Sequence, residues 1–118
     1  MIGLGILLGH LIGDFMVQND WMALRKRKQT WPCLLHCVCY TLAMWVVLAP
    51  FFALPWWFYF FVFATHFPID RYGLALKAMK VAGQESFATG VFAPWSVVIV
   101  DNTMHLAVAY YLAALATS

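Results

Sequence analysis

The chain has 118 residues, of which 64% are hydrophobic and only 10% charged, a balance foreign to the water-exposed surface of so small a domain. Its formal net charge of +2 is small, and its basic residues gather in the block Arg25, Lys26, Arg27, Lys28 and the looser set Arg71, Lys77, Lys80. Neither has the interleaved basic and aromatic pattern of a nucleic-acid groove, so no nucleic acid is expected as a partner, and lipid is the natural solvent for the uncharged stretches between them.

The first element is a helix over residues 1–21. Met1–Val17 lacks a basic region before its apolar run and a small-residue cleavage site after it, so it is expected to remain as a helix. Gly3, Gly5, Gly9 and Gly13 give it a small-residue face that lets another helix approach closely, and through which oligomers could form. A second helix is expected over 31–49, with Pro32 acceptable in its first turn. Pro50 and Pro55 mark a tight turn, a third helix follows over 56–76, Gly83–Phe92 is mixed in composition, and Pro94 opens a fourth helix over 95–115. The expectation is therefore one all-α domain over 1–118, a four-helix transmembrane bundle. Lys and Arg occur in the first and third connections and not in the second, which places those connections in the cytoplasm and both termini outside a bacterial inner membrane. Cys33, Cys37 and Cys39, an odd number with no CxxC pair, read as small buried hydrophobes.

Against this apolar background the polar residues stand out. His10, Asp14, His36, His66, Asp70, Asp101 and His105 lie within the expected spans and include every histidine of the chain. Residues four apart share a helix face, so His10 with Asp14, His66 with Asp70 and Asp101 with His105 each form a one-sided pair. At 1.5 Å per residue all seven lie roughly 5–15 Å inside the same end of the bundle, although the helices alternate in direction. Interhelical hydrogen bonding alone would explain one such histidine. Imidazole nitrogens and carboxylate oxygens at one depth suit a metal: two adjacent cations, or one cation with carboxylates orienting the imidazoles. A carboxylate-dominated di-iron bundle is not indicated, because Glu85 is the only glutamate. Zinc is the leading metal, with manganese and iron open. Gln18, one turn along from Asp14, and Arg71 and Asn102, next to Asp70 and Asp101, are candidate substrate contacts, and Pro68 falls between His66 and Asp70, where it frees a backbone carbonyl.

The segments HLIGDFMVQNDW (10–21), LLHCVCYT (34–41), HFPIDRY (66–72) and DNTMHLAVAYYL (101–112) resemble the small bacterial and phage membrane proteins grouped as domain of unknown function 3307. More distantly they are similar to inner-membrane proteins described as metal-dependent hydrolases. The resemblance supports His10, Asp14, Gln18, His36, His66, Asp70, Asp101 and His105 as polar positions, and departs from the family at Cys37, where a second histidine is frequent, and at Asn102, where glutamine is. The leading expectation is a membrane-embedded hydrolase acting from the cytoplasmic side on a phosphoryl or acyl ester of a lipid-like substrate. Asp14, Asp70 and Asp101 are its candidate catalytic carboxylates. The alternative is a metal or proton conductor, or a phage-type accessory protein of the membrane.

Overall fold

A computed structural model describes residues 1–17 and 19–118, and in it the chain is all-α. Helix α1 (Ile2–Leu11) runs into a π-helical turn, Ile12–Met16, closed by the Val17 N–H on the Ile12 carbonyl at 3.1 Å. Asn19 then caps α2 (Asp20–Arg25), its side-chain oxygen accepting from the Met22 N–H at 2.9 Å, and so satisfies a donor that a helix start leaves open. Helix α3 (Thr30–Leu48) carries Pro32 in its first turn, where no hydrogen bond is lost. Pro55 directly precedes α4 (Trp56–Arg71), followed by α5 (Leu74–Val81), α6 (Glu85–Thr89) and α7 (Trp95–Thr117).

This corrects the expected four-helix transmembrane bundle. Among the described residues there are seven α-helices, and two of them, α3 and α7, are long and apolar enough to cross a membrane. The segment read as helix one is divided between α1, the π turn and α2. The segment read as helix three stops at Arg71, because Gly73 takes a left-handed conformation (φ +58°) that only glycine adopts without strain, and the chain restarts in a new direction as α5. Hydropathy registers side chains and is blind to such backbone breaks. Without the four-span arrangement, the placing of both termini outside loses its basis. Membrane association remains consistent with α3 and α7.

Helices α1, α3, α4 and α7 close a ring, α1 on α3, α3 on α4, α4 on α7 and α7 back on α1, while α5 packs on the first half of α7. One end of the ring is filled by an apolar core of Ile6, Met44, Leu48, Phe58, Val62, Ala109 and Ala113. A smaller cluster of Ala75, Met79, Ala88 and Val97 ties α5 and α6 to α7. The glycine face of α1 is spent largely within the chain. A Cβ on Gly5, Gly9 or Gly13 would meet Leu48, Met44 or Tyr40 of α3 at 2.8, 2.8 and 2.6 Å, whereas around Gly3 there is open space.

Candidate metal centre

Moving along each ring helix away from the apolar core leads to the same polar layer. On α1 it comes after Ile6, on α3 before Tyr40 and Met44, on α4 after Val62, and on α7 before Ala109. His10, Asp14, His36, His66, Asp70 and His105 are all buried there, and Asp101 is partly buried. The π turn matters to this convergence: it widens the backbone at Asp14 and carries that carboxylate to α3 and α4.

Four ligand atoms define the centre. His36 Nε2 lies 2.9 Å from His66 Nε2, 3.2 Å from Asp14 Oδ1 and 3.0 Å from Asp70 Oδ2. His66 Nε2 is 3.0 Å from Asp70 Oδ2 and 3.7 Å from Asp14 Oδ1. A tetrahedral zinc site with bonds of about 2.0–2.1 Å has ligand-to-ligand separations of about 3.3–3.4 Å, and these distances bracket that value. Asp14, His36, His66 and Asp70 thus offer one ligand atom each within a mutual 4.8 Å, and Asp14, Asp101 and His105 form a second such group that shares Asp14. His105 Nε2 joins the two groups, 3.1 Å from Asp70 Oδ1 and 3.4 Å from Asp101 Oδ2. Stacking holds the rings in place: Tyr40 on His66 and His66 on His105, each with centroids 3.9 Å apart.

His10 stands apart from both groups for a reason of hydrogen-bond inventory. The Tyr40 hydroxyl donates to its Nδ1 at 2.7 Å and its Nε2–H donates to Asn102 Oδ1 at 2.9 Å, so one neutral tautomer satisfies both contacts and leaves no nitrogen lone pair for a metal. Its Nε2 is also 3.5 Å from Asp14 Oδ2, so His10 lies against a candidate ligand. Asn102 is thereby engaged with His10. Loss of the Tyr40 hydroxyl should be felt through this chain: Tyr40→Phe is expected to weaken metal binding about tenfold without abolishing it, measured by competition with a chromogenic chelator. An affinity equal to wild type would show that the Tyr40–His10–Asp14 relay has no hold on the site.

Two participants were not legible as such in the sequence. Tyr40 lies one helical turn beyond His36, a spacing that could have announced it. Lys26, read as part of a topological basic block, instead sends its ammonium 3.3 Å from Asp70 Oδ2, with 15% of the side chain exposed. Burial works against its charge, but Asp70, Asp14 and Asp101 outweigh burial and raise its pKa above the ordinary value. With neutral imidazoles, three carboxylates and one ammonium leave a formal charge of −2 in a poorly solvated layer, which a divalent cation would match. Arg71 points elsewhere, donating from Nη1 to the Arg27 carbonyl at 2.7 Å. Gln18 lies outside the described residues. Cys33 and Cys37 are fully buried free thiols and belong to neither ligand group.

The family model for proteins of unknown function DUF3307 matches residues 2–118, nearly the whole chain. The chain belongs to the DUF3307 family. No curated protein and no solved structure matches it. Membership carries no activity with it, so the chemistry of this DUF3307 chain rests on its own side chains.

Proposed function

We propose that this protein is a metal-dependent hydrolase of the bacterial cytoplasmic membrane, acting on a phosphoryl or acyl ester of a lipid-like substrate that enters from the side of Lys26. The observation that carries the reading is the convergence of Asp14, His36, His66 and Asp70 at near-tetrahedral separations inside an otherwise apolar ring. Near-tetrahedral separations are what a zinc site takes and support zinc over manganese, which prefers octahedral oxygen ligands, while two histidines with carboxylates also suit iron(II). A divalent cation held there supplies the Lewis acidity that ester hydrolysis needs. The many exposed large apolar side chains, Leu4, Leu8, Trp45, Val46, Phe60 and Tyr111 among them, favour a lipid setting for the reaction.

The side chains divide the remaining work. Asp70 and Asp14, with His36 and His66, would hold the cation, and Lys26 balances the charge of Asp70. Asp101 has 13% of its side chain exposed, against 6% for Asp14 and 1% for Asp70, so it is the carboxylate best placed to take a proton from an attacking water. A cavity of about 10 Å³ lined by Tyr40, His66 and His105 has room for about one water molecule. Conduction is the weaker reading, since the ring beyond the polar layer is closed by the apolar side chains of Met44, Leu48, Phe58 and Val62.

The test pairs metal analysis with turnover on a panel of lipid phosphates and acyl esters. Asp101→Asn is expected to keep the cation of the four-atom group while turnover falls about 10²–10⁴-fold. Unchanged turnover would remove Asp101 from the reaction. Purified wild type with no specifically bound cation would overturn the hydrolase reading.

A further inference from the structure

A cleft of about 400 Å³ opens between the end of α2 and the α4–α5 corner. Its charged lining is wholly basic: Arg27, Arg71, Lys77 and Lys80, with Tyr72 beside them. No Asp or Glu contributes, and none of the four forms an ion pair among the described residues. Lys77 and Lys80 are three apart on α5 and share a face, and the left-handed Gly73 turns that helix so that this face meets Arg71.

Simple exposure of long basic side chains does not account for Arg71. Its guanidinium is fixed by the Nη1 bond to the Arg27 carbonyl at 2.7 Å and by the Tyr72 ring 5.6 Å away. Its Nε is buried, out of reach of solvent, and makes no hydrogen bond among the described residues, so an anion in the cleft would meet the terminal N–H groups of the guanidinium instead. A fixed planar donor flanked by mobile ammonium groups is the arrangement that recognises a tetrahedral oxyanion. Arg27 and Arg71 also directly follow Lys26 and Asp70, which form an ion pair at the His and Asp layer.

We infer that this cleft is a phosphate-recognition site that holds a phosphate ester anion next to the metal centre. The inference deepens the hydrolase reading and rests on it for any step after binding. The bound group is a phosphate mono- or diester; on an amphiphile, its chains would lie along the exposed apolar flank of the ring.

The experiment measures binding of inorganic phosphate and of dodecyl phosphate to the full-length, chelator-treated protein in a non-ionic detergent, so that no metal contributes. Arg71→Gln/Lys77→Gln is expected to weaken binding of at least one probe about tenfold or more. The control Arg25→Gln/Lys28→Gln removes the same charge from residues outside the cleft and should change binding by no more than about twofold, as for screened surface charge. Lys77→Gln alone, on an exposed side chain, repeats the measurement should the double variant not fold. Much tighter binding of dodecyl phosphate assigns the site to a lipid headgroup, and equal binding assigns it to a soluble phosphate ester. No binding of either probe by wild type, no loss in the cleft variants, or an equal loss in the control would overturn the proposal. Since metal content is determined separately on untreated protein, failure of the cleft leaves the metal reading standing, and the converse also holds.

Discussion

Asp70→Asn is expected to abolish stoichiometric metal binding, with a loss of affinity of at least about a hundredfold, while the protein stays folded and monodisperse in detergent. Asp70 has four partners in the layer: Oδ2 lies 3.0 Å from both His36 and His66 and 3.3 Å from Lys26, and Oδ1 is 3.1 Å from His105. An asparagine of nearly the same shape preserves packing but removes the anion and presents only one oxygen. Removing a directly coordinating carboxylate should exceed the 10–100-fold effects seen when only an outer partner is lost. The contrast with Tyr40→Phe is therefore part of the prediction, since both variants disturb the same layer and only one removes a ligand. If Asp70 serves merely as a hydrogen-bonding contact between helices, the asparagine will bond almost as well and metal content will match wild type. Metal stoichiometry by mass spectrometry of matched preparations decides between these outcomes.

The polar layer was legible in the sequence because two periodicities coincide there. Pairs four apart, His10 with Asp14, His66 with Asp70 and Asp101 with His105, fix a face, and their distance from the apolar run of each helix fixes a depth. Both hold whether or not a helix spans a bilayer, so the layer assembles although the expected bundle does not. The backbone events were illegible. A π turn at Ile12–Met16 leaves little mark on hydropathy, and Gly73 is one glycine among seven until its φ is known. Lys26 was hidden for another reason: in a run of four basic residues, sequence does not say which one turns inward, and only its 3.3 Å approach to Asp70 distinguishes it. His10 shows the converse limit. Its spacing to Asp14 suggested a ligand, while the contacts that use up both ring nitrogens come from Tyr40 and Asn102, 30 and 92 residues away.

The glycines of the first segment should give a graded stability series, with Gly13→Ala the most damaging. A methyl group generally favours an exposed helical position over glycine by about 1 kcal/mol, and Gly3→Ala, with nothing within 4 Å of the new atom, should show that gain or no change. At Gly9 the added Cβ would come 2.8 Å from Met44 Sδ, a flexible thioether, but also 3.3 Å from the Met44 Cα, so part of the clash relaxes and part persists. At Gly13 it would come 2.6 Å from the Tyr40 ring and 3.2 Å from the Tyr40 Cα. That ring cannot step aside cheaply, because it stacks on His66 and its hydroxyl holds His10. The remaining response is to push the π turn away from α3, which separates Asp14 from His36. Overpacking of this kind costs about 1–3 kcal/mol, more than the helix propensity returned, and here it also opens the metal layer. Gly13→Ala should therefore lower the thermal midpoint in detergent and weaken metal binding together, Gly9→Ala should lower the midpoint less, and Gly3→Ala should leave both near wild type. A Gly13→Ala protein as stable as Gly3→Ala would mean that α1 and α3 do not approach as closely as the contacts at Tyr40 require.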